Sequence, residues 1–301
     1  MHEKLTRRGF LSETTLLAAA AATMRAVEGA NGAEPAAKEL PKIKLGTLEV
    51  SRLILGSNPF FGIAHQEGDA GEQMRRYYTD ARIMAVLDEA AALGVTAVAS
   101  PPYPRWIKLF AKYLEQGGKL RTWIAQPDPP PEMMKEAIAA AAKGGAKAIF
   151  IQGGRADAQF SGGGLGLLPE WIDYIKSFGV PAGMAAHGTD THLAAEKAKL
   201  PTDFYYQCFF PPGSLSKEPG RRIADFEKAI TRIVKEIDKP IVGYKILSAG
   251  RIPPKEGFSF ALAHLRPRDG VCVGVFPRDK ADMIAEDATL TRELTTSRSA
   301  Q

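Results

Sequence analysis

Hydrophobic and polar positions follow two alternating patterns along most of the chain. Short, nearly continuous apolar runs are typical of buried parallel strands, and between them apolar residues recur every three or four positions, as in amphipathic helices. The predicted strands are Leu53–Gly56, Val95–Ala99, Arg121–Ala125, Lys147–Ile151, Pro181–Ala186, Asp203–Phe209, Ile241–Ile246 and Val271–Val275. The predicted helices are Thr79–Leu93, Trp106–Glu115, Glu132–Lys143, Pro169–Phe178, Leu193–Lys199, Ile223–Ile237, Pro254–His264 and Lys280–Leu294.

Eight strand-helix units predict an α/β fold in which a parallel sheet closes into a single (β/α)8 barrel, here residues 42–294. An open, doubly wound sheet is the alternative, and it would place a Gly-rich phosphate turn after its first strand. Residues 56–62 follow the first strand without the G-x-G-x-x-G spacing. A polar linker at 34–41 precedes the barrel, and residues 295–301 are expected to form a disordered tail.

Composition excludes several classes of protein. The hydrophobic fraction of 45% is ordinary for a globular chain, so intrinsic disorder is not expected. Two Cys cannot form a disulfide-dense scaffold, and no Cys/His cluster has zinc-site spacing. No bound metal is therefore expected.

The N-terminus resembles a twin-arginine export signal. Arg7 and Arg8 are followed by Phe10 and Leu11, then by a weakly hydrophobic, Ala-rich run and small residues up to Ala33. The run is shorter than the ~20 residues that span a membrane, so no stable anchor is predicted. The resemblance implies export by the twin-arginine translocase to the periplasm or the exterior, with cleavage of residues 1–33.

The net charge of +5 does not indicate nucleic-acid binding. The export segment carries four Lys/Arg against three Glu, so its removal leaves +4. That charge is spread along the chain without a basic run. A small-molecule substrate is the expected partner.

Chemistry in this fold occurs at the C-terminal ends of the strands and in the loops that follow them. Asn58, Gln126 and Gln152 occupy such positions and are candidate substrate-binding residues. The loops Asn58–Arg76 and Pro211–Arg222 are long, so we expect them to cover the mouth of the barrel.

Both ends of the predicted barrel resemble the aldo-keto reductases. Residues 44–56 are similar to the opening of that family, where a short hairpin closes the bottom of the barrel. Residues 242–251 resemble its strand-seven segment, and Phe276-Pro277-Arg278, followed by Glu286-Asp287, resembles its strand-eight nucleotide-binding segment.

The resemblance implies an NADP or NAD cofactor and assigns five contacts to it. Tyr244 would stack on the nicotinamide and Gln207 would bond its carboxamide. Ser248 and Gly250 would approach the pyrophosphate, and Arg278 would meet an adenosine phosphate. Ordinary barrel packing for Tyr244 and Gln207, and a solvated surface role for Arg278, are the alternatives.

The middle of the chain departs from the family. Its reductases use a Tyr proton donor with an Asp, a Lys and a His; here Ala99, Gln126 and Gln152 fall near those three positions. Tyr103 lies near the donor position, but a Tyr without these partners keeps a pKa of ~10 and is a poor acid near neutrality. Ordinary carbonyl reduction is therefore disfavoured.

Lys245 and His187 are the remaining candidate catalytic residues. Lys245, at the end of strand seven, is a possible base, Schiff-base nucleophile or anion ligand, provided that it faces the mouth and does not pair outward with a helix carboxylate. His187 follows strand five and suits acid-base chemistry, although Asp190 and His192 nearby also allow a metal site.

Three functional hypotheses follow. The first is an atypical, NAD(P)-dependent oxidoreductase that acts on a small polar carbonyl or sugar-like substrate. The second is a non-redox lyase or isomerase that uses His187 and Lys245. The third is a barrel that binds a ligand without catalysis.

Overall fold

The computed structural model describes residues 39–160, 164–210 and 219–296, with the backbone alone at 219–226. The predicted export signal at 1–33, most of the linker, most of the predicted loop Pro211–Arg222 and residues 297–301 lie outside the described residues. None of the described helices is long and apolar enough to cross a membrane.

The described strands form a hairpin and a closed barrel. They are β1 (Lys42–Leu45), β2 (Leu48–Ser51), β3 (Leu53–Gly56), β4 (Ala97–Ser100), β5 (Thr122–Ala125), β6 (Ala148–Ile151), β7 (Ala182–Ala186), β8 (Phe204–Cys208), β9 (Ile241–Tyr244) and β10 (Gly270–Gly274). β1 and β2 pair antiparallel, whereas β3 to β10 pair parallel in chain order and β10 closes on β3. The predicted (β/α)8 barrel with an N-terminal hairpin is confirmed, and each predicted strand boundary lies within two residues of the observed one.

Helices connect the barrel strands. They are α1 (Ala70–Tyr77), α2 (Asp80–Ala92), α3 (Pro104–Glu115), α4 (Met134–Lys143), α5 (Gly153–Phe160), α6 (Leu168–Lys176), α7 (Thr189–Lys197), α8 (Pro219–Glu236), α9 (Pro254–His264) and α10 (Met283–Thr296). Two of these were not predicted: α1 lies in the segment predicted as a loop, and α5 begins at two glycines, which are weak helix formers.

The last helix extends past the predicted end of the barrel. α10 reaches Thr296, whereas the sequence predicted a disordered tail from residue 295. The hydroxyl of Thr295 donates to the carbonyl of Thr291 and accepts a hydrogen bond from Arg52 at 3.0 Å. This contact with the body of the barrel accounts for the extra helical residues.

Side chains along each barrel strand face the interior and the helices in turn, because successive residues of a strand point to opposite faces. Along β6, for example, Ala148 and Phe150 face the interior cluster while Ile149 and Ile151 face the helices. The hairpin adds Ile43, Leu45 and Val50 to the interior cluster. The hairpin therefore closes the bottom of the barrel.

Arg52 also stabilises the closed end. Its side chain is buried, and it donates hydrogen bonds to the carbonyls of Asp269 and Arg266, both at 2.9 Å. Because a buried guanidinium is costly unless its donors are satisfied, these bonds tie the start of β3 to the segment before β10.

Candidate active site

A cavity of about 790 Å³ opens at the C-terminal end of the barrel. Phe150 and Tyr206 line it from inside the barrel, with their rings stacked at a centroid distance of 4.0 Å. The loops after the strands form its walls, and Gln73 and Met74 of α1 line one side. Since this end of the fold carries catalytic groups in (β/α)8 enzymes, the cavity is the candidate active site.

Three ionisable side chains form a hydrogen-bonded chain at the mouth. Nδ1 of His187 lies 2.9 Å from Oδ2 of Asp157, and Nε2 of the same ring lies 3.1 Å from Nζ of Lys245. A carboxylate accepts only, so Nδ1 carries the proton and Nε2 is left with a lone pair. Nε2 can therefore accept a proton from the ammonium of Lys245. We call Asp157, His187 and Lys245 the relay.

Asp157 is held in place by residues at the end of β7 and at the start of α7. Its Oδ2 also accepts the main-chain N–H of His187 at 2.8 Å, and its Oδ1 accepts the hydroxyl of Thr191 at 2.8 Å. Burial alone would raise the pKa of Asp157, but the hydrogen bonds from His187 and Thr191 outweigh it and the pKa is lowered. The carboxylate stays ionised and fixes the orientation of the imidazole.

Lys245 turns into the mouth because β9 ends one residue earlier. Its backbone is left-handed, with φ of 57°, so the alternation that would send Tyr244 and Lys245 to opposite sides is broken. Burial lowers the pKa of the Lys245 ammonium, while the Cys208 thiol opposes that change. The outward orientation considered for Lys245 is not adopted.

Tyr244 packs beside the relay. Its ring lies edge-on to His187 at a centroid distance of 5.9 Å, and its hydroxyl donates to the carbonyl of Ala186 at 3.2 Å. A Cβ at Gly153 would lie 2.7 Å from that hydroxyl and 3.2 Å from Cε1 of His187. The first residue of α5 therefore has to be glycine for the relay to fit.

A second imidazole faces the same mouth. His65 lines the cavity from the segment between β3 and α1, and its Nε2 lies 3.4 Å from Nδ2 of Asn58. Partial burial, and then the charges of Lys245, His187 and Arg251, lower the pKa of His65 to about 4. His65 is therefore neutral at physiological pH.

The three predicted substrate-binding residues all line the cavity: Asn58, Gln126 and Gln152. Oε1 of Gln152 accepts the main-chain N–H of Arg155 at the start of α5, which leaves its amide nitrogen as a donor.

Tyr103, the predicted proton donor, has a carboxylate partner, because its hydroxyl donates to Oδ2 of Asp128 at 2.8 Å. Burial and this carboxylate raise the pKa of Tyr103 further, so the structure gives it no acidifying partner.

Two buried hydroxyls on the cavity wall have no hydrogen-bond partner among the described residues. They are Oη of Tyr206 and Oγ of Ser57. Buried polar groups are normally paired, so these two atoms are available to a ligand or to water inside the barrel.

Solved structures of known proteins resemble this one, although no family model and no curated protein matches the chain. A proposed aldo-keto reductase from Pseudomonas aeruginosa superposes with a TM-score of 0.57 and 15% identity, over 84% of this chain and 98% of that one. A truncated 3-deoxy-D-arabino-heptulosonate 7-phosphate synthase from Thermotoga maritima has a TM-score of 0.52 and 17% identity, over 87% and 92%. These likenesses show the fold.

The five predicted cofactor contacts divide into two groups. Tyr244, Gly250 and Arg278 line the cavity. Gln207 instead lies on the outer side of β8, and its Nε2 donates to the carbonyls of His187 and Cys208. Ser248 is fully buried within its turn. The structure therefore does not bring these five residues together at one surface.

The metal alternative is not favoured by the geometry. His192 is buried and its Nε2 contacts the carbonyl of Tyr206, whereas Asp190 pairs with Arg232 at 3.2 Å. Within the described ranges no group of three or more His, Cys, Asp or Glu is placed to hold a metal ion.

Asp157 and His65 are the site residues that sequence reasoning missed. Asp157 lies on the unpredicted helix α5, in a Gly-rich segment without a helical pattern. His65 lies in a segment predicted only as a loop. Listing every charged or imidazole side chain within ten residues after each strand would have included both.

Proposed function

We propose that the protein is a lyase or isomerase that activates a small carbonyl compound through a Schiff base on Lys245. The observation that supports this is the relay, because it supplies a lysine of lowered pKa, a proton acceptor 3.1 Å from its nitrogen and a carboxylate behind the acceptor. The cavity of about 790 Å³ in front of Lys245 has the size of a small-molecule site.

The first steps follow from the hydrogen bonds. The Lys245 ammonium transfers a proton to Nε2 of His187, and Asp157 stabilises the resulting imidazolium. The free amine attacks the carbonyl carbon, and a proton moves from its nitrogen to the former carbonyl oxygen to give a neutral carbinolamine. His187 then returns the proton to the carbinolamine hydroxyl, which leaves as water. One ammonium and one carbonyl thus give one iminium ion and one water, and His187 returns to its starting state.

Reductive trapping tests the proposal. The protein is incubated with hydroxyacetone, dihydroxyacetone, glyceraldehyde or pyruvate, then treated with cyanoborohydride and mapped by mass spectrometry. We expect reductive modification at Lys245 with at least one probe, and its loss in Lys245→Met. Lys112→Met, at an exposed position of α3, is the matched control. No modification of Lys245 by any probe would overturn the proposal, and binding of a probe without modification would favour a non-catalytic barrel.

An NAD(P)-dependent oxidoreductase is the second candidate, and one observation favours it. The cavity continues past Lys245 to Gly250 and Arg278, on the side where the resemblance expects a dinucleotide. The fit is partial, because the Gln207 amide is bonded within the protein and Arg278 pairs with Asp279 at 2.7 Å. We derive no hydride step. Titration with NADPH and NADH, followed by thermal shift, tests this candidate; no shift at millimolar nucleotide removes it.

A further inference from the structure

Two imidazoles line the cavity together with Lys245, and they are positioned in different ways. His187 is fixed by Asp157 on one side, as described above. The segment carrying His65 is fastened to the turn after Lys245: Arg251 donates to the His65 carbonyl at 3.1 Å, and Gln66 donates to the Ala249 carbonyl at 2.6 Å. The two loops thus hold His65 at the mouth.

The backbone at His65 is left-handed, with φ of 53°. Such a conformation is uncommon for residues other than glycine and costs free energy, and strained residues of this kind cluster at functional sites. The ring lines the cavity, and the Asn58 amide faces Nε2 at the long distance of 3.4 Å. Because an amide nitrogen donates only, Nε2 carries the lone pair in this contact, and the Asn58 amide is a neighbour that a substrate can displace.

We propose that His65 is the base that removes a proton from the carbon next to the iminium, so the substrates are carbonyl compounds with an enolisable C–H. This rests on the proposed Schiff base at Lys245. The proton moves from the α-carbon to Nε2 of His65, the C–H electron pair forms the C=C bond of an enamine, and the iminium nitrogen becomes neutral. The His65 imidazolium then returns the proton to carbon or exchanges it with water.

The two imidazoles divide the proton transfers. His187 serves the lysine nitrogen and the departing water, whereas His65 serves carbon. The ionisable groups that face His65 are Lys245, His187 and Arg251, and the positive charge that each carries when protonated favours the neutral form of His65. His65 is therefore unprotonated at neutral pH, and it can still remove a proton from carbon at pH values that protonate an ordinary imidazole.

The experiment separates the two proton transfers. The probe that traps on Lys245 is incubated with the protein in D2O, and exchange of its α-hydrogens is followed by proton NMR. His65→Asn is the test variant, because Asn also tolerates a left-handed backbone. We expect Lys245 still to be trapped in this variant, and exchange per trapped Lys245 to be at least about 100-fold slower, the usual contribution of a general base. His264→Gln, on α9 and bonded to Phe260, is the matched control.

The outcomes are distinguishable. Absence of trapping in the unsubstituted protein overturns the proposed function and this assignment with it. Normal trapping with no α-hydrogen exchange, or with equal exchange in His65→Asn, overturns the assignment alone. The pH dependence gives a further check, since exchange per trapped Lys245 is expected to fall with acid near pH 4 and not near 6.5.

Discussion

The contact between Gly153 and Tyr244 gives a prediction that does not depend on the identity of the substrate. Gly153→Ala places a Cβ 2.7 Å from the Tyr244 hydroxyl, where ordinary contact begins at 3.4 Å. The hydroxyl has to retreat by about 0.7 Å, but its hydrogen bond to the Ala186 carbonyl holds it. The same Cβ presses on the His187 ring at 3.2 Å.

The expected magnitudes follow from that displacement. Overpacking costs about 1 to 3 kcal/mol, and the better helix propensity of Ala offsets up to about 1 kcal/mol. We therefore expect the free energy of unfolding to fall by about 1 to 2 kcal/mol. A displacement of several tenths of an ångström at His187 disturbs its geometry with Lys245, so trapping at Lys245 should slow about 10- to 100-fold.

The assays are chemical denaturation and the rate of reductive trapping. Gly154→Ala is the matched control, because its Cβ would meet the side-chain amide of Gln152, at 3.2 Å, and neither Tyr244 nor His187. Combining Gly153→Ala with Tyr244→Phe removes the clashing oxygen, so the double variant should recover stability and trapping relative to Gly153→Ala. Unchanged stability and trapping in Gly153→Ala, or strictly additive effects in the double variant, would refute the packing argument.

Three further predictions concern stability and export. Arg52→Ala should lower the free energy of unfolding, measured by urea denaturation, by about 3 kcal/mol, because it removes two hydrogen bonds from a charged donor and leaves the carbonyl of buried Asp269 without its side-chain donor. A loss no larger than in exposed Arg121→Ala would contradict this. Burial lowers the pKa of His192 to about 4, so the folded protein resists protonation of this side chain. Because the unfolded chain takes up that proton near pH 6.5, the free energy of unfolding should fall as the pH is lowered from 6.5 to 4, by on the order of 3 kcal/mol. His192→Gln should reduce this pH dependence, and an unaltered dependence would be evidence against the assignment. The first 40 residues should export a fused reporter, with Arg7→Lys plus Arg8→Lys retaining it in the cytoplasm; export that survives both changes would disprove the twin-arginine proposal.

The barrel was predictable because its information is local. Each strand is a short apolar run that ends at turn residues. Because connections between parallel strands are right-handed, eight such units can be assembled in only a few ways. The N-terminal hairpin was available from the resemblance at residues 44–56. The two missed helices have local causes, since Gly153 and Gly154 weaken the helical pattern of α5 and polar residues dominate α1.

The site was predictable only in part, because its contacts join distant residues. His187 lies 30 positions from Asp157 and 58 from Lys245 along the chain. Position after a strand identified His187 and Lys245, but nothing local marks Asp157 as their partner. Gln207 shows two sequence arguments that point in different directions: period-two alternation from the inward Tyr206 directs it outward, as observed, whereas the resemblance assigned it to a cofactor.

One oxygen atom links the backbone to the relay. Oδ2 of Asp157 accepts both the ring nitrogen and the main-chain amide of His187. Any motion that swings α5 away from β7 releases these two hydrogen bonds together. The amide of His187 is then open to hydrogen exchange in the same event that leaves its ring without an orienting partner. The exchange rate of this amide thus records how often the relay comes apart, and a ligand bound to Lys245 should slow it.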